Sequence, residues 1–370
     1  MTAAGSTRAR FSEQLRDRWR VISVWISGAG LWALIAAFML WSVIQERDAF
    51  TTGVIVGSIF ALGAVGLTLI YGVLKFGHFA HGDAMMFSAY LAFLFLFGFV
   101  VGERPQDRLE ILPVTVNDLP GADEKIWKFS FGYGLWVAMA LAALLTAVIL
   151  AAVDRFVYRR LRARKSGIVI FSIGALGIAL AMRSLILLMW GPTPRLYSPG
   201  IRERVDIGFD VSLLADQVFI IGTAVVVTAL VYVLLFRTKL GKAMRAMADN
   251  PDLARVSGID TDRIIVWMWM VSGGLVAIAG VLLALQAQLD PELGFLLLLP
   301  LFASAILGGL GHPQGALVGG LIVGVVQEVG TTLDMPVLGQ IDPQYKFSIA
   351  FIILIAMLLL RPSGLFGAKV

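Results

Sequence analysis

The sequence contains no cysteine and only three histidines, at positions 78, 81 and 312. Without thiols there is no disulfide framework and no thiolate nucleophile or metal ligand. Three histidines so scattered, with no carboxylates at ligand spacing, exclude a zinc site of ordinary form. Charge is scarce as well. Asp, Glu, Lys and Arg make up 15% of the 370 residues, where soluble domains carry about 25%. No GxxxxGK[ST] run occurs, so the chain has no phosphate-binding loop of its own. No ring of like charges suggests an ion filter. No convergent polar or metal cluster in an apolar run suggests a membrane enzyme.

Apolar residues and glycine fill the space. Apolar types reach 58%, with 39 glycines and a mean hydropathy of +0.85. A fold this apolar lacks the polar surface to face water. Membrane helices use glycine for close backbone approach, because lipid supplies no hydrophobic drive between helices. The formal net charge of +5 does not point to nucleic acid. Its basic residues sit in short stretches between apolar runs, the pattern of cytoplasmic anchoring.

About 20 apolar residues cross the hydrocarbon core. Ten runs qualify: 22–44, 51–74, 83–101, 132–153, 168–190, 213–236, 264–286, 294–310, 313–333 and 346–360. The first follows basic residues but has full-span length and no small-x-small cleavage site, so it reads as an uncleaved helix. The eighth is short and glycine-rich, the mark of a broken or re-entrant element. Basic groups lie at Arg8–Arg20, Arg155–Lys165, Arg237–Arg263 and Arg361–Lys369. A ten-span chain with both termini inside puts all four on the cytoplasmic face. An eight-span version, with two weak elements re-entrant, keeps that orientation. The expected fold is an all-α polytopic membrane protein of eight to ten transmembrane helices. Its parts are a basic cytoplasmic segment 1–21, an extra helix 22–44, a transmembrane domain 51–361 and an outer loop 102–131.

Between the sixth and seventh spans, Leu240–Arg263 is too polar to cross and too organised for a plain loop. Leu240–Ala248 favours a helix. Asn250 can cap a second helix, with Pro251 at its first position and Asp252 in its first turn. Gly258 follows where a left-handed cap belongs. One reading is an amphipathic turn resting on lipid headgroups. The other is a rigid knob for a groove on a cytoplasmic partner. Met244, Met247, Leu253, Val256 and Ile259 would offer apolar contacts, and Arg245 and Arg255 charge-assisted ones.

Four stretches carry a resemblance: GSIFALGAVGLTLIYGVLKFGHFAHGDAMMFSAYLAF (57–93), DRFVYRRLRARK (154–165), GKAMRAMADNPDLARVSGID (241–260) and AILGGLGHPQGALVGGLIVGVVQ (305–327). Together they resemble the permeases of branched-chain amino acid ABC importers, the high-affinity family that pairs two related permeases. The resemblance implies a multi-pass protein of the bacterial inner membrane that imports a small solute by alternating access. It also implies a second permease, a periplasmic solute-binding protein and two cytoplasmic ATPases, which hold the ATP and Mg. The chain itself needs no cofactor. The ATPase-coupling segment falls on 240–260, with Arg245, Asn250, Asp252, Arg255 and Gly258. Three departures stand out. Asp83 takes the place of the family's usual Glu, His78-Phe79 stands where Asn usually precedes the motif, and the N-terminal extension and outer loop are long. A urea or short-amide permease of the same design is the alternative solute reading. An ion-coupled carrier or channel, working without ATPases, is the alternative class.

Candidates for the translocation path fall in two groups. Gly63 and Gly66 in the second span, and Gly315, Gly319 and Gly320 in the ninth, make smooth stripes that serve either helix packing or a path wall. His78, His81, Asp83 and Arg183 are the polar candidates. The stretch Lys75–Asp83 breaks the hydropathy near the cytoplasmic surface and could dip into the membrane if protein covers its backbone. His81 would then suit donation to an inner carbonyl; otherwise the histidines are interfacial caps of a tight turn. Arg183 either binds a solute carboxylate or pairs within the bundle, with Glu328 a possible partner. A short echo, Gly77-His78 against Gly311-His312, hints at a duplicated half.

Overall fold

Hydrocarbon offers a peptide group no hydrogen-bond partner, so apolar runs of this length close their bonds internally as helices. The computed structural model describes residues 29–101, 108–198, 202–208, 211–335, 339–340 and 342–367. The expected basic segment 1–21, the start of the first span at 22–28 and residues 102–107 of the outer loop lie outside the described residues.

The fold is all-α and polytopic. Helices α1 (Ala29–Gln45), α2 (Arg47–Leu74) and α3 (His81–Phe97) come first. Next are α4 (Gly134–Val153), α5 (Arg159–Ala163), α6 (Ile168–Trp190) and α7 (Ala215–Arg237). Two short helices, α8 (Lys239–Asp249) and α9 (Pro251–Val256), precede α10 (Thr261–Gln286). The last are α11 (Leu293–Gly308), α12 (Pro313–Thr332) and α13 (Lys346–Leu360). Among the described residues, three two-stranded antiparallel sheets lie in the connections, pairing β1 (Phe99–Val101) with β2 (Arg108–Glu110), β3 (Arg204–Gly208) with β4 (Val211–Leu214), and β5 (Asp334–Met335) with β6 (Gly339–Gln340). Among the described residues, seven helical segments are long and apolar enough to cross a membrane, and three apolar helices, Gly30–Gln45, His81–Phe97 and Leu293–Gly308, are shorter.

Two expected boundaries are corrected. The third span does not run to 101, because Gly98 takes a left-handed φ of 75° that caps α3, and the chain turns into β1. The fourth span does not stop at 153. It continues through a π-turn, Asp154–Tyr158, into α5, so most of the basic stretch is helical. Arg162 folds back onto Asp154 with two bonds of 2.6 and 2.9 Å, satisfying a carboxylate that is 3% exposed.

The core is built from α2, α3, α10, α11 and α12, with α4 packed on α10 and α6, α7 and α13 outside. Glycine sets the spacing. A Cβ on Gly57 would lie 2.9 Å from Leu321 Cα, and one on Gly324 would overlap the backbone of Gly57. Helices α2 and α12 therefore touch backbone to backbone. On α6, Ala175, Ala179, Met182, Ile186 and Trp190 form one buried stripe, while Val169, Ile173, Leu180 and Leu188 on the other faces are 60–78% exposed.

Gly324→Val should cost about 3 kcal/mol or more by overpacking the α2–α12 seam. Gly177→Val, on α6 where a Cβ meets nothing within 4 Å, should leave the thermal midpoint in detergent nearly unchanged.

Candidate functional site

The loop after α2 does not lie on the surface. Leu74 ends α2, yet His81, the first residue of α3, donates from Nε2 to Gly63 O at 2.8 Å. A carbonyl only accepts, so Nε2 carries the hydrogen. Gly63 is eleven residues before the end of α2, about 16 Å along its axis. Residues 75–80 therefore run back into the bundle, and α3 starts near mid-depth. Phe76, His78 and Ala80 along the return are buried, which keeps their backbone off lipid.

This geometry decides between the two histidine readings. His78 and His81 are each 0% exposed, so they are not interfacial caps. His78 is boxed by rings: Trp269 at 5.0 Å, Tyr158 at 5.9 Å and Phe76 at 6.2 Å between centroids. Tyr158 stacks on Trp269 at 5.3 Å. The π-turn widens the helix where Tyr158 enters this box, as such turns do at many functional sites. Tyr158 and Trp269 escaped sequence reasoning because aromatics in and beside spans are ordinary. The DRFVY run, apolar rings inside a basic stretch, was the available signal. His312 is exposed, so the two echo sites differ in environment.

Asp83 lies in the first turn of α3, where the helix dipole favours a carboxylate. Arg183 of α6 reaches it with Nε at 2.9 Å and NH2 at 2.8 Å, both on Oδ1. Asp83 is 1% exposed and Arg183 20%. Asp83 Oδ2 has no partner, so the pair is not a complete two-oxygen fork. The guanidinium also lies over Phe295 at 4.8 Å. The suggested partner Glu328 is corrected, because it pairs with Lys346 at 2.5 Å. At mid-depth, then, the α3 N-terminus already holds this chain's own carboxylate, and Arg183 is spoken for.

The glycine candidates all lie in packed seams. A Cβ on Gly63 would meet Leu301 at 2.6 Å, and one on Gly66 would meet Ser272 Oγ at 3.2 Å and His81 at 3.3 Å. Ser272 donates to Gly66 O at 3.0 Å. Gly315 backs onto Gly308, Gly319 onto Ser304 and Gly320 onto Ala61.

Beyond the end of α7, α8 and α9 form a corner. Thr238 caps α8 through Gly241 N at 3.0 Å, and Asn250 caps α9 through Leu253 N at 3.0 Å. Gly258, at φ +84°, closes α9. Met244 and Met247 are 2% exposed and grip the bundle, so they are not offered outward, whereas Leu253 is 61% and Val256 83% exposed. Arg245, Asn250, Asp252, Arg255 and Gly258 are all exposed. Lys75, in a left-handed φ of 56°, donates from Nζ to Ala248 O at 2.9 Å, tying the re-entrant stretch to the end of α8. A contact over 173 residues leaves no local signal in the sequence.

Among the described residues, no three His, Cys, Asp or Glu side chains gather as a metal site.

Residues 49–358 match the family model described as branched-chain amino acid transport system / permease component. The chain is 30% identical to the high-affinity branched-chain amino acid transport system permease protein BraD of Pseudomonas aeruginosa, across 85% of this chain and 94% of that protein. It is 28% identical to the corresponding LivH of Escherichia coli K12, across 85% and 93%. A probable LivH of Methanocaldococcus jannaschii is 29% identical across 87% and 93%. No solved structure matches.

Asp83→Asn should cost about 3 kcal/mol, since it leaves Arg183 without its counter-charge inside the bundle. Asp83→Asn with Arg183→Gln should cost less than the sum of the two single changes. Thermal unfolding of the four proteins in detergent checks both statements, and strict additivity would remove the pair from the account.

Proposed function

We propose a division of labour on one premise: the chain belongs to the family of permease components of branched-chain amino acid transport systems. It is the membrane-spanning permease subunit of an ATP-binding-cassette importer for branched-chain amino acids, a multi-pass protein of the inner membrane without catalytic chemistry of its own. Its architecture is that of a paired permease served by ATPase subunits and a binding protein.

The observation that carries the finer reading is the α8–α9 corner, anchored inward by Met244 and Met247 and bare outward at Leu253 and Val256. A machine driven by separate ATPases needs such a joint, and a passive channel does not. In this reading 240–260 docks on one ATPase through Arg245, Asn250, Asp252, Arg255 and Gly258. The ten helices span with both termini cytoplasmic, the three shorter ones included. Solute passes from a periplasmic binding protein along the bare apolar side of α6, against the second permease. Arg183 and Asp83 act as the clamp that fixes α6 to α3. Lys75 acts as a strut, so that movement of α8 reaches the re-entrant stretch and α3. The glycine seams are the surfaces on which helices rock.

The test is uptake by proteoliposomes holding this chain, its partner permease, the ATPases and the binding protein. Leucine, isoleucine, valine and urea are offered in turn, with and without ATP. ATP-dependent uptake of the branched-chain amino acids, lost without this chain, is expected. Urea uptake alone would keep the machine and overturn the solute, and uptake without ATPases would overturn the class. Arg255→Glu should weaken ATPase pull-down by about tenfold or more while the bundle stays folded. Undiminished pull-down by both Arg255→Glu and Arg245→Glu would remove the dock. Lys75→Met should leave pull-down intact and raise the ATP hydrolysed per solute moved.

A further inference from the structure

A second polar site lies apart from the Arg183–Asp83 clamp. A half-open cavity of about 590 Å³ lies between α2, the end of α7, α8, α10 and the start of α12. That is ample for one aliphatic amino acid. At its inner end Thr68 is 0% exposed, and its hydroxyl has no partner. A helical threonine ordinarily bonds back to a carbonyl one turn earlier, so a bare buried hydroxyl on a cavity wall is a donor without an acceptor. The wall continues with Leu69, Val73 and Met268. Here α12 begins with Pro313 at its first turn, no acidic residue in that turn, and an N-cap, His312, that provides no side-chain acceptor. The first-turn amides of Gln314 and Gly315 lie beside this cavity and attract an anion. Lys242, Arg245 and Asp249 of α8 line its cytoplasmic mouth, two cations and one anion.

An occupant needs an anionic end for the α12 amides, Thr68 and Lys242, a cationic group for Asp249, and an apolar body for the wall. An α-amino acid with an aliphatic side chain meets all three requirements. We propose that this cavity binds such an amino acid from the cytoplasmic side and that the bound molecule restrains transport. The restraint follows from geometry, because the ligand joins α8 to α2 and α12 and so holds the coupling corner against the bundle. The inference builds on the import reading above, in which α8 moves with the ATPases.

The experiment uses proteoliposomes of the complete complex, with binding protein and leucine sealed inside. ATP added outside reaches only those complexes whose cytoplasmic face is outward. Luminal leucine should stimulate ATP hydrolysis, and leucine then added outside should suppress it. Thr68→Val and Lys242→Gln should each raise the half-inhibitory external concentration about tenfold, the effect of one lost hydrogen bond or ion contact, and Thr68→Val should leave the uninhibited rate unchanged. Leucinol, which lacks the carboxylate, should not suppress. Absence of suppression, equal suppression by leucinol, or unchanged suppression in both variants would overturn the site. If luminal leucine gives no stimulation, the import reading falls instead. The cavity is then judged by external radiolabelled leucine retained on the vesicles: loss of retention in Thr68→Val upholds it, and equal or absent retention overturns it.

Discussion

A peptide group inside hydrocarbon must find its partner in the protein, and this constraint orders the molecule from α2 outward. It permits the non-helical return at 75–80 only where side chains and neighbouring helices wall it off from lipid. Phe76, His78 and Ala80 fill that wall, and His81 ties its far end to the carbonyl of Gly63. Once the return is buried, α3 must begin at mid-depth. Asp83 and Arg183 then have to meet inside the bundle, because α6 passes the same level. The short helix, the boxed histidine and the buried ion pair are three consequences of one detour of the backbone.

Close packing makes that detour possible without a hydrophobic drive. Lipid tails compete equally for apolar side chains, so helix association depends on contact density and on polar bonds across the seams. Gly57 and Gly324 bring α2 and α12 together at backbone distance. Ser272 bonds to Gly66 O at 3.0 Å, and Tyr197 to Ala89 O at 2.8 Å. Such seams slide more readily than interlocked large side chains. A core joined by smooth surfaces and pinned at a few polar points can exchange one arrangement for another while its helices stay intact, which transport by alternating access requires.

The sequence made some of this legible and hid the rest for physical reasons. Helix positions followed from apolar length, and both caps of the α8–α9 corner followed from Asn250-Pro251 and Gly258, because caps are local chemistry. The stop at Gly98 and the continuation through Asp154–Tyr158 were not legible. Hydropathy averages over a window and does not register a single left-handed residue or an Arg162 that folds back on its own helix. Arg183 was visible as an ionised residue in a span, but its partner was not, since Asp83 and Glu328 were equally acidic on paper. The glycine stripes announced close contact without saying what they touched. Only the three-dimensional arrangement turns Gly315, Gly319 and Gly320 toward this chain's own helices.

The ion pair and the strut divide the chain's polar connections by depth, and the division matters for how force could travel. Arg183–Asp83 lies inside the bundle and joins the bare helix α6 to the short helix α3. Lys75, just past the end of α2, joins the inward return to α8. Between them run only seven residues, 76–82, most of them buried. A displacement of α8 therefore has a short, stiff route to the level of Asp83, with no long loop to absorb it. That route exists because the return dips inward. Had residues 75–80 stayed at the surface, α8 and α6 would be linked only through lipid-facing helix ends, which bend and slip easily.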